Sequence, residues 1–238
     1  MSYYWAFWLW RERADYLSRD HLHCRLDTPQ ALRAFSEMRG LIYKQGVCPS
    51  PDVSSSNGYL FESGTVAMSF EWPGFTPRFR DSIRDFDWDI APTPSDPDNS
   101  YTIAKGNQLV ISEQCEHPQE AWEWIKYLTS KETEEYYYGD QFRRAVPTRL
   151  AVLKDPQYLR ATRPPFHTDV FVDVLNRARE LPIDETYPTW TATAQRFIDL
   201  LFISPSADLD QTMHNCAAAV DIDLQSEHER FQRYAMER

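Results

Sequence analysis

The sequence predicts an α/β fold, rich in helix, and three observations carry that expectation. Short β-favourable runs (Thr65–Phe70, Phe86–Ile90, Gly106–Ser112) alternate with longer stretches whose apolar residues recur at helical spacing. The run from Thr65 ends in Glu71-Trp72-Pro73-Gly74, where proline cannot donate to a ladder and glycine invites a turn. The 238 residues, 42% of them hydrophobic, suffice for the core of one large domain or two small ones.

Taken in order, residues 1–10 are too aromatic to stand exposed alone. Trp5 and Trp8 read as core packing, with the edge of a longer chain as the alternative for the whole stretch. His21-Leu22-His23-Cys24 reads as an extended, partly exposed strand, because the rest of a metal-ligand set is not nearby. Asp27 or Thr28 caps a helix with Pro29 in its first turn. Leu32, Phe35, Met38, Leu41 and Ile42 form its apolar stripe, and Lys44 and Gly46 end it. A Pro/Ser loop covers Val47–Ser56, and Tyr59-Leu60-Phe61 reads as a helix stopped at Gly64. Phe75–Asp85 is a weak helix, and Ala91–Ser100 is a loop with three prolines.

Glu116–Ser130 is the clearest helix, with Ala121, Trp122, Ile125 and Leu128 as its buried face and Trp124 outside it. Lys131–Asp140 continues helically to Gly139, and Val146-Pro147-Thr148 is a turn. Asp155-Pro156 starts a short helix, and His167–Glu180 is helical through Val170, Phe171, Val174 and Leu175. After a loop, Trp190–Phe202 is amphipathic through Ala194, Phe197, Ile198 and Leu201. The last helix runs from Asp208, apolar at Leu209, Met213, Cys216, Val220 and Leu224.

Composition excludes whole classes. A net charge of −11 argues against nucleic acid and anionic membrane as partners, since both demand basic patches. The 7 glycines fall in no phosphate-loop spacing, so no nucleotide cofactor is expected, and the 4 cysteines match no metal motif. Free structural cysteines or one disulfide of undetermined pairing both fit. No apolar run reaches the ~18 residues of a transmembrane helix. The start lacks the basic region and cleavage site of a signal peptide.

Aromatics make up 14% of the chain. Glu71 and Trp72 put a carboxylate and an indole at a predicted strand end, where α/β folds place ligands; a core tryptophan beside a solvated glutamate is the other reading. Carboxylates at Glu71, Asp87 and Asp89 also admit a carbohydrate-active hydrolase, which needs two acids flanking one bond. A ligand-free helical interaction fragment is the third reading.

The pattern F-x-S-G-x-V-A-M at Phe61–Met68, followed by Trp72-Pro73-Gly74-Phe75, resembles the family 1 extracellular solute-binding proteins of carbohydrate ABC importers, the maltose-binding-protein-like group. Further counterparts follow in order: Ile42–Pro49, Trp88–Pro94, Gly106–Ser112, AWEWIKYLTS at Ala121–Ser130, Gly139–Thr148 and Pro188–Asp223. The family often has a second glycine where this chain has Asn107.

The resemblance implies a type II periplasmic-binding-protein-like fold, mostly its second lobe. Residues 1–110 would be a second-lobe portion, 111–152 a first-lobe-like crossover segment and 153–238 second-lobe helices, in a member lacking the N-terminal lobe. It implies a non-catalytic, monomeric protein, periplasmic or extracellular at the membrane, that binds a sugar or oligosaccharide and delivers it to the transmembrane subunits of an ABC permease. It places ligand contacts at Glu71 and Trp72, at Asn107 and Gln108 on the crossover strand, and at Tyr187 and Trp190. A flat ring for a sugar's C–H face, with polar groups for its hydroxyls, is the chemistry such a site needs.

Overall fold

The structure, a computed structural model, describes residues 5–51, 53, 60–94, 101–140 and 143–236. In chain order the elements are α1 (Trp5–Arg11), α2 (Pro29–Arg39), α3 (Thr76–Ser82), β1 (Thr102–Ala104), α4 (Pro118–Leu128), α5 (Lys131–Tyr138), α6 (Leu150–Leu153), α7 (Pro156–Leu159), α8 (Val170–Asp173), β2 (Ala178–Glu180), α9 (Tyr187–Ile203) and α10 (Leu209–Met236). They fall into two compact units. One is drawn from Met1–Leu60, Thr93–Ala104 and Ala178–Arg238, the other from Phe61–Pro92 and Lys105–Arg177.

The first unit is built on apolar packing. In α10 the residues Met213, Cys216, Ala217, Val220 and Leu224 recur every three or four positions and are all buried. They meet Trp190, Ala194, Ile198 and Leu201 of α9, Ala31, Ala34 and Phe35 of α2, and Trp5, Ala6, Leu9 and Trp10 of α1 in one continuous cluster. The aromatic N-terminal run, from Trp5 onward, therefore packs beneath the rest. Helix α2 starts where expected, with Thr28 Oγ1 accepting the Ala31 amide. Its buried face is Ala31, Ala34 and Phe35, rotated slightly from the predicted stripe, because the two alanines admit the neighbouring helices closely. Past Arg39 the chain makes one wider turn over Gly40–Lys44, and Gly46 leaves it with φ +64°, as a glycine end requires. β1 and β2 pair in parallel, with Ile103 opposite Arg179. His21–Cys24 is not a strand: Ser18 to His23 form a tight turn closed by a single bridge between Leu17 and Cys24.

The second unit joins shorter elements. Phe61 to Gly64 form a turn, not a helix, and Gly64 has φ +69°. Tyr59, the predicted start of that helix, lies outside the described residues. Thr65–Phe70, Phe86–Ile90 and Gly106–Ser112, expected as strands, are irregular backbone. No neighbouring strand is there to accept their ladder bonds among the described residues, and Leu109, Val110 and Ile111 are exposed. Of the predicted helix over His167–Glu180, only α8 and a following tight turn at Val174–Arg177 are helical, because Ala178–Glu180 is claimed by β1.

Helix α4 runs as expected but buries no residue, and Trp122 is 50% exposed. Gly139 ends α5 by close approach, not by a left-handed turn: its φ is −61°, and a Cβ there would lie 2.3 Å from the Glu135 carbonyl oxygen. Glu134 then accepts the Thr148 hydroxyl at 2.5 Å and the Arg149 amide at 3.0 Å, tying α5 to the entry of α6. Asp155 caps α7 through the Gln157 amide at 2.8 Å.

At the centre of this unit are two buried arginines. Arg80 donates to the Pro164 carbonyl at 2.6 Å, the Arg163 carbonyl at 3.2 Å, and both the carbonyl and the carboxylate of Asp140. Arg143 donates to the Tyr158 carbonyl at 2.7 Å and lies over the Tyr158 ring, with Nε 3.5 Å from Asp140. Asp140 also accepts the backbone amide and hydroxyl of Thr162. Burial alone would raise the Asp140 carboxyl; the Thr162 and Arg80 hydrogen bonds outweigh it and hold the pKa low.

Candidate functional site

A chain of aromatic rings leads to Trp72. Phe79 of α3 is buried and meets Phe61 at 5.3 Å, Phe75 at 5.6 Å and Trp88 edge-on at 5.6 Å. Phe75 in turn lies 6.2 Å from Trp72, tilted by 33°. Trp72 is therefore backed on one side by a ring anchored in the core, while 59% of it remains exposed. The turn Pro73–Phe75 holds that indole out: a Cβ at Gly74 would sit 3.2 Å from the Arg144 carbonyl, so the approach is close. An immobilised flat ring with a free face is a stacking surface for an apolar or C–H face.

Glu71 precedes it and accepts the Ser69 hydroxyl at 3.0 Å. Its pKa is raised, chiefly by partial desolvation, with the Ser69 hydrogen bond pulling against this and Glu62 adding to the rise. Asn107 and Gln108 follow β1 and are exposed on irregular backbone.

Tyr187 and Trp190 lie in the first unit. Tyr187 opens α9 and is half-buried, its ring edge-on to Trp190 at 5.5 Å. Trp190 is 1% exposed and also meets Tyr16 at 5.8 Å, so its indole is a core group that backs Tyr187. The structure brings these two together, and it brings Glu71 and Trp72 together through their turn.

Asp89 is committed elsewhere. Its Oδ1 accepts the amides of Phe166 at 2.8 Å and His167 at 3.1 Å, and its Oδ2 meets His167 Nδ1 at 2.7 Å. Desolvation opposes ionisation there, yet these bonds win and lower its pKa. A carboxylate held as an anion on both oxygens is a poor proton donor. Among the described residues no three His, Cys, Asp or Glu side chains converge as a metal site. Cys24, Cys48, Cys115 and Cys216 are all free thiols.

One feature escaped sequence reasoning. A concavity of about 990 Å³ opens within the first unit, floored by Trp10, Tyr101 and Arg179. The Arg179 guanidinium lies 5.0 Å from the Trp10 ring and 4.8 Å from the Tyr101 ring, and bonds Asp15 at 3.1 Å. Asp15 also accepts the Trp10 indole N–H at 3.3 Å. Arg13, Arg19 and Arg25 line the same space. Six-residue spacing puts them on no common helix face, and the segment is not a strand, so the turn at Ser18–His23 sets their placement.

A family model of bacterial extracellular solute-binding proteins matches residues 1–163. No curated protein sequence matches. Maltose-bound MalE3 of T. maritima is similar with a TM-score of 0.76 and 24% identity, over 92% of this chain and 56% of that one. The GacH receptor of Streptomyces glaucescens, solved unliganded and with acarbose, is similar with a TM-score of 0.79 and 18% identity, over 94% and 57%. UgpB from Mycobacterium tuberculosis in complex with glycerophosphocholine is similar with a TM-score of 0.78 and 20% identity, over 94% and 56%. The chain thus spans little more than half the length of these structures.

Proposed function

Because this chain belongs to the bacterial extracellular solute-binding proteins and has their helix-rich type II periplasmic-binding-protein-like fold, we propose that it binds a sugar or oligosaccharide without turning it over and delivers it to an ABC permease. The observation that carries the reading is Trp72, a largely exposed indole backed by Phe75 and anchored through it on buried Phe79. Glu71 beside it, and Asn107 and Gln108, would bond hydroxyls; in the first unit Tyr187 would offer a second ring, with Trp190 setting its angle. The maltose of MalE3 and the acarbose of GacH support a carbohydrate as ligand, and the glycerophosphocholine of UgpB extends the range to other polyhydroxylated solutes. No helix among the described residues is long and apolar enough to cross a membrane.

The hydrolase reading loses support from Asp89, whose oxygens are both engaged. Thermal melts of the chain with a panel of mono- and oligosaccharides test the proposal. A ligand binding only the folded state at a hundredfold excess over Kd adds ~2.7 kcal/mol. One sugar should raise the midpoint, Trp72→Ala should abolish that rise, and no reducing sugar should be released. A panel that leaves the midpoint unmoved, or sugar release lost in Glu71→Gln, would overturn it.

A further inference from the structure

We propose that the arginine-lined concavity of the first unit binds a small solute carrying a phosphate group. Its lining residues belong to the first unit, whereas Trp72 belongs to the second, and the proposal does not rest on the sugar-binding reading. Arg13, Arg19 and Arg25 line it, and none of the three forms an ion pair or side-chain hydrogen bond among the described residues. In a chain of net charge −11, three unpaired guanidinium groups facing one concavity are a local reversal of sign. The fourth arginine, Arg179, is spent on Asp15 and the two rings, so it fixes the floor and neutralises the acid there. Glu180 is the remaining carboxylate on the lining and opposes an anion.

The chemistry selects phosphate over carboxylate. One guanidinium fork satisfies the two oxygens of a carboxylate, whereas three separate forks suit a dianion with three terminal oxygens. Tyr101, half-buried beside them, gives the organic part of the solute a partly apolar wall, with buried Trp10 behind it. The chain's overall negative charge disfavours extended polyanions, so the ligand is a small molecule and not a nucleic acid or membrane surface.

Isothermal titration calorimetry of the 238-residue chain with glucose 6-phosphate, inorganic phosphate, glucuronate and glucose tests this. Glucose 6-phosphate should bind at least tenfold tighter than glucose or glucuronate, and tighter than inorganic phosphate through its sugar's contact with Tyr101. Affinity should fall as salt rises. Arg19→Ala/Arg25→Ala should weaken it at least tenfold with an unchanged melt, since both side chains are exposed. Glu180→Gln should tighten it a few-fold, which a merely structural role would not do, and Trp72→Ala should leave it unchanged. Equal binding of glucose and glucose 6-phosphate, equal binding of glucuronate, or full affinity in the double variant would each overturn the proposal. Loss of sugar binding in Trp72→Ala with phosphate binding intact would separate the two sites.

Discussion

The two units bury different chemistry. In the first, the buried side chains are mostly aliphatic and aromatic, and the buried polar ones are the threonines Thr186, Thr191, Thr193 and Thr212; their hydroxyls bond neighbours in sequence, as Thr191 does to the Tyr187 carbonyl and Thr186 to the Asp184 carboxylate. In the second, the buried apolar side chains among the described residues are Phe79, Ile83, Pro147, Val152, Leu153, Tyr158 and Pro165. Beside them lie Arg80, Glu134 and Arg143, each bonded to a backbone group. Long helices with a repeating stripe build a continuous core and need no polar fasteners. In the second unit α4 buries no residue and the other helices are only four to eight residues long, so buried charges tie loop to loop. The lesson is one of tolerance: an apolar core accepts changes that conserve volume, whereas a charged hub fails when either partner is lost.

The largest effect should come from the apolar core. Trp190→Ala should cost ~3–5 kcal/mol, because it empties a space shared by Tyr16 and Tyr187. Trp190→Phe should recover most of that, since the Trp190 indole N–H has no hydrogen-bond partner among the described residues. Urea melts measure both. Next, Asp140→Ala should cost ~3 kcal/mol or more, leaving Arg80 and Arg143 without their shared carboxylate. If Trp190→Phe proved as damaging as Asp140→Ala, the contrast between the units would collapse.

Acid sharpens the comparison. The folded-state pKa of Asp140 is depressed, so its stabilisation is present above the unfolded value of 3.8 and is lost as pH falls through the folded one. The urea midpoint should therefore drop as pH falls below about 5 and keep dropping below 3.8, and Asp140→Asn should flatten that slope. Asp184 in the first unit is also depressed, despite desolvation, by Thr186 and His21, so the slope in Asp140→Asn should be reduced, not abolished. Thr28→Ala should cost ~1 kcal/mol by removing the α2 cap. Smallest of all, Trp72→Ala should shift stability within about 0.5 kcal/mol, since most of that side chain packs on nothing. A larger loss would mean that the indole serves the fold more than a ligand.

Local chemistry was legible in the last helix and at several helix ends, though not at Phe61–Gly64, which is a turn. The α10 stripe at Met213, Cys216, Val220 and Leu224, the Thr28-Pro29 start of α2, the Asp155-Pro156 start of α7 and the glycine end at Gly46 all rest on neighbours within a turn or two in sequence. Strands were not legible. Thr65–Phe70 and Gly106–Ser112 have the composition of strands, yet a ladder needs a partner far along the chain, and Thr102–Ala104 found one at Ala178–Glu180 instead.

The same division holds for the candidate sites. That Trp72 stands beside a turn follows from Pro73 and Gly74 in sequence; that it is exposed and backed by Phe75 on Phe79 does not. Trp190, equally aromatic and at the start of a helix, is core, because α10 and Tyr16 cover it. The burial of Arg80 and Arg143 and the gathering of Arg13, Arg19 and Arg25 have no sequence signature at all. The sequence by itself determined the long helices, the Thr28 and Asp155 caps and the family pattern, since those depend on spacing along one chain segment. Only the tertiary structure decided which aromatic ring faces solvent and which arginine faces a carboxylate, because burial and charge pairing are set by residues distant in sequence.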